Sequence, residues 1–135
     1  LYIIREGTID TDRISDIDNN NESKLILTLQ CENQNMYELK PNKMPIAIYD
    51  KMEKFSTHEI QLEKGDRLYM FSDGFADQFG GEKGKKFKAR AFRELLLSIQ
   101  DKSMEEQKQV IDESFETWKG DLEQIDDVCV IGVRV

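Results

Sequence analysis

The spacing of apolar residues changes near Phe87, and this change limits the folds that the chain can adopt. Before Phe87, short segments such as Arg67–Phe71 (RLYMF) show the spacing of β-strands. After it, apolar residues recur every three to five positions, as on an amphipathic helix. The closing run DDVCVIGVRV returns to strand spacing. Several strands, two helices and a final strand predict an α+β fold in which a helix pair covers a largely antiparallel sheet.

The first half of the chain contains the other predicted strands. Apolar content predicts strands at 1–5, 24–29, 35–39 and 46–49, with Pro41 and Pro45 around a turn before the last of these. Residues 10–23 are rich in Asp and Asn and predict a flexible loop. Period-two spacing in Glu59–Leu62 and Arg67–Phe71, with Gly65 between them, predicts a β-hairpin.

The second helix has chemical signals at both ends. Ser103 is followed three residues later by Glu106, the pattern of a capping box, and Gly120 is expected to end the helix. The final strand has apolar residues on both faces, which predicts burial on both sides, with Cys129 as a small core residue. The two cysteines of the chain, Cys31 and Cys129, have no zinc or disulfide spacing, so we expect a reducing compartment such as the cytoplasm.

The charge of the chain limits its partners. The formal net charge is -8 and the isoelectric point is about 4.7, whereas nucleic-acid binders usually present a positive face. No apolar run approaches the roughly 18–20 residues that cross a bilayer. We therefore expect neither a nucleic-acid partner nor direct membrane contact from this segment.

Acidic residues follow one predicted strand and precede another. Asp73 comes just after Phe71, and Asp126 and Asp127 come just before the final strand. If these strands are antiparallel neighbours, the end of one lies beside the start of the other. Carboxylates held within about 4–6 Å repel each other unless a cation lies between them, and Mg²⁺ or Mn²⁺ prefers oxygen ligands. The alternative is that Asp73 opens a turn and the other two acids are solvated.

The runs GDRLYMFSDGFADQFGG and IDDVCVIGVRV, separated by two predicted helices, resemble the C-terminal half of the PPM-type metal-dependent protein serine/threonine phosphatases, in particular the bacterial SpoIIE-like branch. The resemblance implies the C-terminal half of an α-β-β-α sandwich. It also implies that Asp73 and Asp126 bind Mn²⁺ or Mg²⁺, with Gly74, Asp77 and Asp127 around them. Asp127 holds the place where relatives often have Asn.

The same resemblance implies an activity and a setting. The activity is hydrolysis of phosphoserine or phosphothreonine in a phosphorylated regulatory protein by metal-activated water. The setting is the output domain of a bacterial signalling protein, whose sensor is either soluble or membrane-bound. An incomplete sheet leaves apolar surface through which a homodimer can form.

One family motif has no counterpart in the sequence. The resemblance calls for a second Asp-Gly pair near a His-Gly in the first half of the domain, and Asp10–Asn21 contains acids without that glycine pattern. We therefore expect residues 1–135 to be the C-terminal portion of one phosphatase domain, with the remaining metal ligands and catalytic residues upstream of Leu1. In isolation this portion is expected to be inactive.

A basic cluster follows the acidic motif. Lys83, Lys85 and Lys86 lie in GGEKGKKFKAR, which lacks the Walker pattern. The cluster is either a solvated loop that leads into the first helix or a flap that attracts an anionic phosphoprotein. Asp77 either points into the site or caps the turn after the strand.

Two other patterns are weaker. Asp16, Asp18 and Asn20 begin like a calcium loop, but the required glycine is Asn21 and the twelfth position is Leu27 instead of Glu. His58 has no other histidine or cysteine at ligand spacing and is expected on the surface.

Two alternatives to an active phosphatase domain stay open. One is a non-catalytic interaction module that keeps the phosphatase fold. The other is an unrelated α+β binding domain with accidental motif matches, which would place Asp73 and Asp126 farther apart than the roughly 8 Å beyond which a shared cation is implausible.

Overall fold

The computed structural model describes residues 1–9, 15–16, 25–42, 50 and 55–135, with the backbone alone for 15–16. The chain divides into two compact units, Leu1–Asp66 together with Val135, and Arg67–Arg134. Of the predicted loop at 10–23, only Ser15 and Asp16 are described, and the predicted strand at 46–49 lies outside the described residues.

The first unit is built from antiparallel strands. Its strands are β1 (Tyr2–Glu6), β2 (Ser15–Asp16), β3 (Leu25–Cys31), β4 (Gln34–Leu39) and β5 (His58–Glu59). β4 pairs with both β1 and β3, with Ile3 opposite Tyr37 and Leu25 opposite Leu39. Ile3, Ile9, Leu25 and Tyr37 form the buried core of this unit, so the predicted strands at 1–5, 24–29 and 35–39 are confirmed within a residue or two.

The predicted hairpin between Glu59–Leu62 and Arg67–Phe71 is wrong. β5 contains two residues and pairs antiparallel with β2, with Asp16 opposite His58. The turn itself is present, since the amide of Asp66 donates to the carbonyl of Glu63 at 3.0 Å and Gly65 has a φ of 102°. The turn signal was correct, but alternating apolar residues do not identify the strand with which a segment pairs. His58, which is expected on the surface, is partly exposed.

A buried ion pair joins the first strand to this turn. Arg5 and Asp66 are 6% and 2% exposed. The Arg5 Nε donates to Asp66 Oδ1 at 2.8 Å, and its Nη2 donates to Asp66 Oδ2. The second carboxylate oxygen also accepts from the amide of Glu63 at 2.8 Å. The hydrogen bond to Asp66 raises the pKa of Arg5 above its usual value, as expected when the charged form gains an acceptor.

The second unit contains the helices and one central strand pair. Its elements are β6 (Arg67–Phe71), α1 (Gly74–Asp77), β7 (Phe79–Gly80), β8 (Lys85–Lys86), α2 (Ala89–Ser98), α3 (Met104–Lys119) and β9 (Val130–Arg134). β6 pairs antiparallel with β9, and β7 with β8. This mixture of helices and mostly antiparallel strands confirms the predicted α+β class.

Aromatic rings fill the core of the second unit. The ring of Phe75 lies 4.6 Å from that of Phe92, 5.1 Å from that of Phe87 and 5.2 Å from that of Phe115. Phe92 and Phe115 belong to α2 and α3, whose apolar faces the 3.6-residue period predicts. The capping box at Ser103 and Glu106 is confirmed, and Gly120 is the C-cap, with a φ of 56°.

The expectation that the last strand is buried on both faces is wrong. Ile131 and Val133 are 49% and 47% exposed, and Cys129 is exposed instead of belonging to the core. Within the second unit α3 approaches β9 near Gly132, where an added Cβ would lie 2.8 Å from Met104 Cε. The apolar composition of β9 therefore predicts more burial than the described residues provide.

Candidate metal centre

The end of β6 lies beside the start of β9. Phe71 is opposite Val130 in the register, and one residue farther along, the amide of Ser72 donates to the carbonyl of Cys129 at 3.0 Å. The predicted antiparallel neighbourhood is therefore correct. It brings the segment that carries Asp73 to the same end of the strand pair as the segment that carries Asp126 and Asp127.

A serine side chain fastens these two segments together. The Oγ of Ser72 donates to the carbonyl of Asp127 at 2.8 Å and accepts from the amide of Cys129 at 3.0 Å. One hydroxyl thus satisfies two backbone groups at the point where the ladder of β6 and β9 ends. Sequence reasoning missed this residue.

Gly74 permits a close backbone approach between the same segments. A Cβ at this position would lie 2.5 Å from the carbonyl oxygen of Asp127 and 3.2 Å from Val128 Cγ2. Any side chain would push the two acid-bearing segments apart. The glycine is therefore required by lack of space, whereas the sequence alone indicated only a turn.

Asp73 and Asp126 are both exposed. Asp73 is the N-cap of α1, yet its side chain makes no capping hydrogen bond. Asp126 Oδ1 accepts from the amide of Asp127 at 2.8 Å, and the Asp126 carbonyl accepts from Gln124 Nε2 at 2.9 Å. Asp127, also exposed, contributes its carbonyl to Ser72 as described. Exposed carboxylates on fastened backbone segments suit the binding of a hard cation.

Asp77 has a partner that neither sequence-based interpretation anticipated. Its Oδ2 lies 3.0 Å from Nζ of Lys86, so the side chain links α1 to β8. Both side chains are almost half exposed, and an ion pair of this kind contributes about 0–1 kcal/mol. Asp77 therefore contributes little to stability through this contact.

The predicted basic cluster lies on this β7–β8 hairpin. Lys83, Lys85 and Lys86 are all exposed, and Nζ of Lys86 lies 5.9 Å from the ring centroid of Phe79. The base of the hairpin packs against Trp118, whose carbonyl accepts from the amide of Gly81 at 2.8 Å. At Gly80 an added Cβ would lie 1.8 Å from that carbonyl oxygen, so the hairpin base is fixed on α3 by direct backbone contact.

The donor set suits part of a magnesium or manganese site. Within the ranges that the structure describes, no three or more histidine, cysteine, aspartate or glutamate side chains converge in a way that could hold a metal ion. Mg²⁺ is commonly bound by one or two carboxylates, with water and substrate phosphate as the other ligands. Asp73 and Asp126 are two exposed carboxylates on adjacent segments at the same end of the β6–β9 pair.

None of the helices in the described part of the chain has both the length and the apolar character needed to cross a lipid bilayer.

Comparison with known structures connects this arrangement to a class of proteins. The SiaA-PP2C domain of Pseudomonas aeruginosa is similar to the chain, with a TM-score of 0.56 and 28% sequence identity, over 62% of this chain and 34% of that one. The chain thus spans about a third of the solved structure that it matches. The fold is that of the PPM-type, or PP2C-like, phosphatases.

The sequence identifies the family more narrowly. The model of the Stage II sporulation protein E (SpoIIE) family matches residues 20–135, and the chain belongs to this family. The hypothesis of an unrelated domain with accidental motif matches is therefore wrong. A short similarity also exists to the RNA-directed RNA polymerase VP2 of Aedes pseudoscutellaris reovirus (isolate France), 39% identical over 56 residues, which are 41% of this chain and 4% of that protein.

Proposed function

We propose that this chain contributes part of the catalytic centre of a metal-dependent protein serine/threonine phosphatase. The observation that carries the proposal is the junction of β6 and β9, where Ser72 and Gly74 hold the segments of Asp73 and Asp126 together in a chain of the SpoIIE family. The substrate class is a phosphorylated regulatory protein, and the role is the output step of a bacterial signalling protein.

Asp73 and Asp126 are the residues that would hold Mn²⁺ or Mg²⁺. Bound divalent cations supply a water of lowered pKa and neutralise phosphate charge. The contribution of the chain itself is to keep both carboxylates at the end of one strand pair, through the Ser72 hydroxyl and the close approach at Gly74. Asp127 contributes through its backbone carbonyl, and we assign its side chain no ligand role.

The β7–β8 hairpin is the part of the site that we propose attracts the substrate. Three exposed lysines lie on a hairpin of a chain with a formal net charge of -8. Such a local positive region raises the association rate of an anionic phosphoprotein, and added salt reduces this effect. Lys86 is held by Asp77, so Lys83 and Lys85 are the lysines assigned to this role.

The test of the proposed function is the substitution Asp73→Asn in the longest natural protein that contains this chain. Mn²⁺-dependent hydrolysis of a phosphoserine peptide should fall by at least about 100-fold, because the variant loses a carboxylate that binds the cation. Asp112→Asn is the matched control, since Asp112 is an exposed aspartate on α3, and it should retain the original rate.

Two results would contradict the proposal. An unchanged rate for Asp73→Asn would remove Asp73 from the centre. A folded protein with no hydrolysis at saturating Mn²⁺ would favour the alternative function, an interaction module that keeps the phosphatase fold for partner binding.

A further inference from the structure

Gln78 is a polar side chain with no solvent exposure, at 0%, directly after α1. Its Nε2 donates to the carbonyl of Glu123 at 2.9 Å and to the carbonyl of Phe79 at 3.0 Å. Its Oε1 accepts from the amide of Ile125 at 3.4 Å. A buried amide is costly unless both of its ends are hydrogen-bonded, and here both ends bond to backbone groups.

The main chain of Gln78 is also fixed. Its carbonyl accepts from the amide of Phe87 at 3.0 Å and from Nε1 of Trp118 at 3.1 Å. Phe87 directly follows the β7–β8 hairpin, and Trp118 lies in α3. The backbone of Gln78 is therefore fixed by residues outside the 123–127 segment.

The backbone that this side chain holds leads directly into the candidate metal centre. Glu123 and Ile125 precede Asp126 in the chain, and Gln78 follows the short helix whose N-cap is Asp73. The Gln78 amide thus connects the segment after one acid to the segment before the other. Ser72 and Gly74 make the corresponding contacts on the far side of Asp126, at Asp127 and beyond.

We propose that Gln78 is a positioning residue that fixes the 123–127 segment, and with it Asp126, relative to α1 and Asp73; the consequence for metal binding rests on the proposed function. The role requires an amide. Methionine fills the same volume but neither donates nor accepts as the amide does, and an ionised glutamate cannot donate to the Glu123 carbonyl. Groups that hydrogen-bond metal ligands directly change metal affinity by about 10–100-fold when removed, and Gln78, which bonds the backbone just before Asp126, is expected at the lower end of that range.

The first test does not depend on metal. In Gln78→Met the amide of Ile125 should lose its protection from hydrogen exchange, while amides in α3 keep theirs. Gln107→Met is the matched control, because Gln107 is also buried, at 1% exposure, and binds Tyr69 and Lys102 instead of the 123–127 segment. This control should leave exchange at Ile125 unchanged.

The second test is titration of the longest natural protein that contains this chain with Mn²⁺. Gln78→Met should weaken Mn²⁺ binding by about 10-fold or more, whereas Gln107→Met should leave it unchanged. In hydrolysis assays at saturating Mn²⁺, Gln78→Met should recover most of its kcat, since the cation is only bound more weakly. A purely structural defect would lower the fraction of folded protein and would not be corrected by added Mn²⁺.

The outcomes distinguish the positioning role of Gln78 from the proposed phosphatase function. Unchanged exchange at Ile125 in Gln78→Met overturns the positioning role, whatever the activity. Increased exchange with unchanged Mn²⁺ affinity also overturns it. If the unaltered protein binds no Mn²⁺, the proposed function fails while the exchange test still decides whether Gln78 fixes the segment. If Gln78→Met does not fold, Gln78→Asn replaces it. The shorter amide remains polar but is withdrawn from the Glu123 carbonyl and the Ile125 amide, so the same results are expected.

Discussion

Asp66 and Asp73 flank the same strand in the sequence, and each is next to a glycine, yet their surroundings are opposite. Asp66 is buried and bound by Arg5 and by the amide of Glu63. Asp73 is exposed and does not cap the helix that it precedes. A buried carboxylate must be paired to exist as an ion, whereas an exposed one stays available to a ligand. Asp66 therefore serves the fold, whereas Asp73 is the acid to which we assign metal binding in the proposed function.

The largest expected effect is the loss of stability when the buried acid is changed. Asp66→Asn leaves the Arg5 guanidinium buried without its main partner and should lower the free energy of unfolding by about 3–5 kcal/mol. Asp73→Asn should change it by less than about 0.5 kcal/mol, as is usual for exposed positions. Urea unfolding of both variants measures the difference. Similar losses in the two variants would show that the contrast does not exist.

A smaller effect is expected where the backbone approaches the exposed acids. In Gly74→Ala the added methyl would overlap the Asp127 carbonyl, and overpacking of this kind costs about 1–3 kcal/mol. Because the overlap separates the acid-bearing segments, Mn²⁺ affinity should fall as well.

Gly132→Ala is the control for this variant. Its methyl would meet the flexible end of Met104 at 2.8 Å and the ring of Tyr69 at 3.3 Å, but no backbone atom is among these neighbours. Stability should therefore fall less than in Gly74→Ala, and Mn²⁺ affinity should stay unchanged. Calorimetric titration with Mn²⁺ and urea unfolding test both variants, and equal effects of the two would contradict a special role for Gly74.

Removal of the Ser72 hydroxyl should have a milder effect. Ser72→Ala leaves the carbonyl of Asp127 and the amide of Cys129 without that partner, which should cost about 1–2 kcal/mol. Ser72→Thr keeps the hydroxyl and should retain most of the stability. Thermal unfolding compares the three proteins, and a Thr variant as unstable as the Ala variant would show that the hydroxyl is not responsible.

The smallest effect concerns an acid that is exposed and yet engaged. The carboxylate of Glu106 accepts from the amide and the hydroxyl of Ser103, and the side-chain hydrogen bond to Ser103 is the main cause that lowers the pKa of Glu106. Because the folded-state pKa is below the unfolded value, this stabilisation is present above the unfolded pKa and is lost as the pH falls through the folded pKa.

Substitution of the capping serine tests this pH dependence. Ser103→Ala should lose stability at neutral pH, and its stability should depend less on pH on the acidic side, between the two pKa values of Glu106. Urea unfolding at a series of acidic pH values measures this. Parallel stability curves for the two proteins would show that the cap does not control the ionisation of Glu106.

The parts of the fold that depend on local patterns could be predicted from the sequence. α2 and α3 follow from apolar periodicity and from the capping box at Ser103, and β6 follows from its own residues. The pairing of strands was harder to predict, because the apolar pattern of a strand does not identify the strand with which it pairs. The neighbourhood of β6 and β9 was predicted correctly, and the hairpin joining 59–62 to 67–71 was not.

Only part of the candidate site could be predicted from the sequence, for a related reason. Acids at strand ends are visible in the sequence, and Asp73 and Asp126 are found at the same end of the β6–β9 pair. Ser72 and Gln78 donate hydrogen bonds to backbone carbonyls more than forty positions away in the chain. No local sequence pattern predicts such distant partners. The requirement for Gly74 likewise depends on a backbone approach that exists only after folding.

The seating of the β7–β8 hairpin on Trp118 gives the protein its own optical probe. Trp118 is the single tryptophan of the chain, its indole N–H binds the carbonyl of Gln78, and its ring stands edge-on to Phe87 at a centroid distance of 5.3 Å. Any movement that lifts the hairpin base would expose the indole to water and shift its fluorescence to longer wavelength. Movement of the hairpin base can therefore be followed in real time on unlabelled protein.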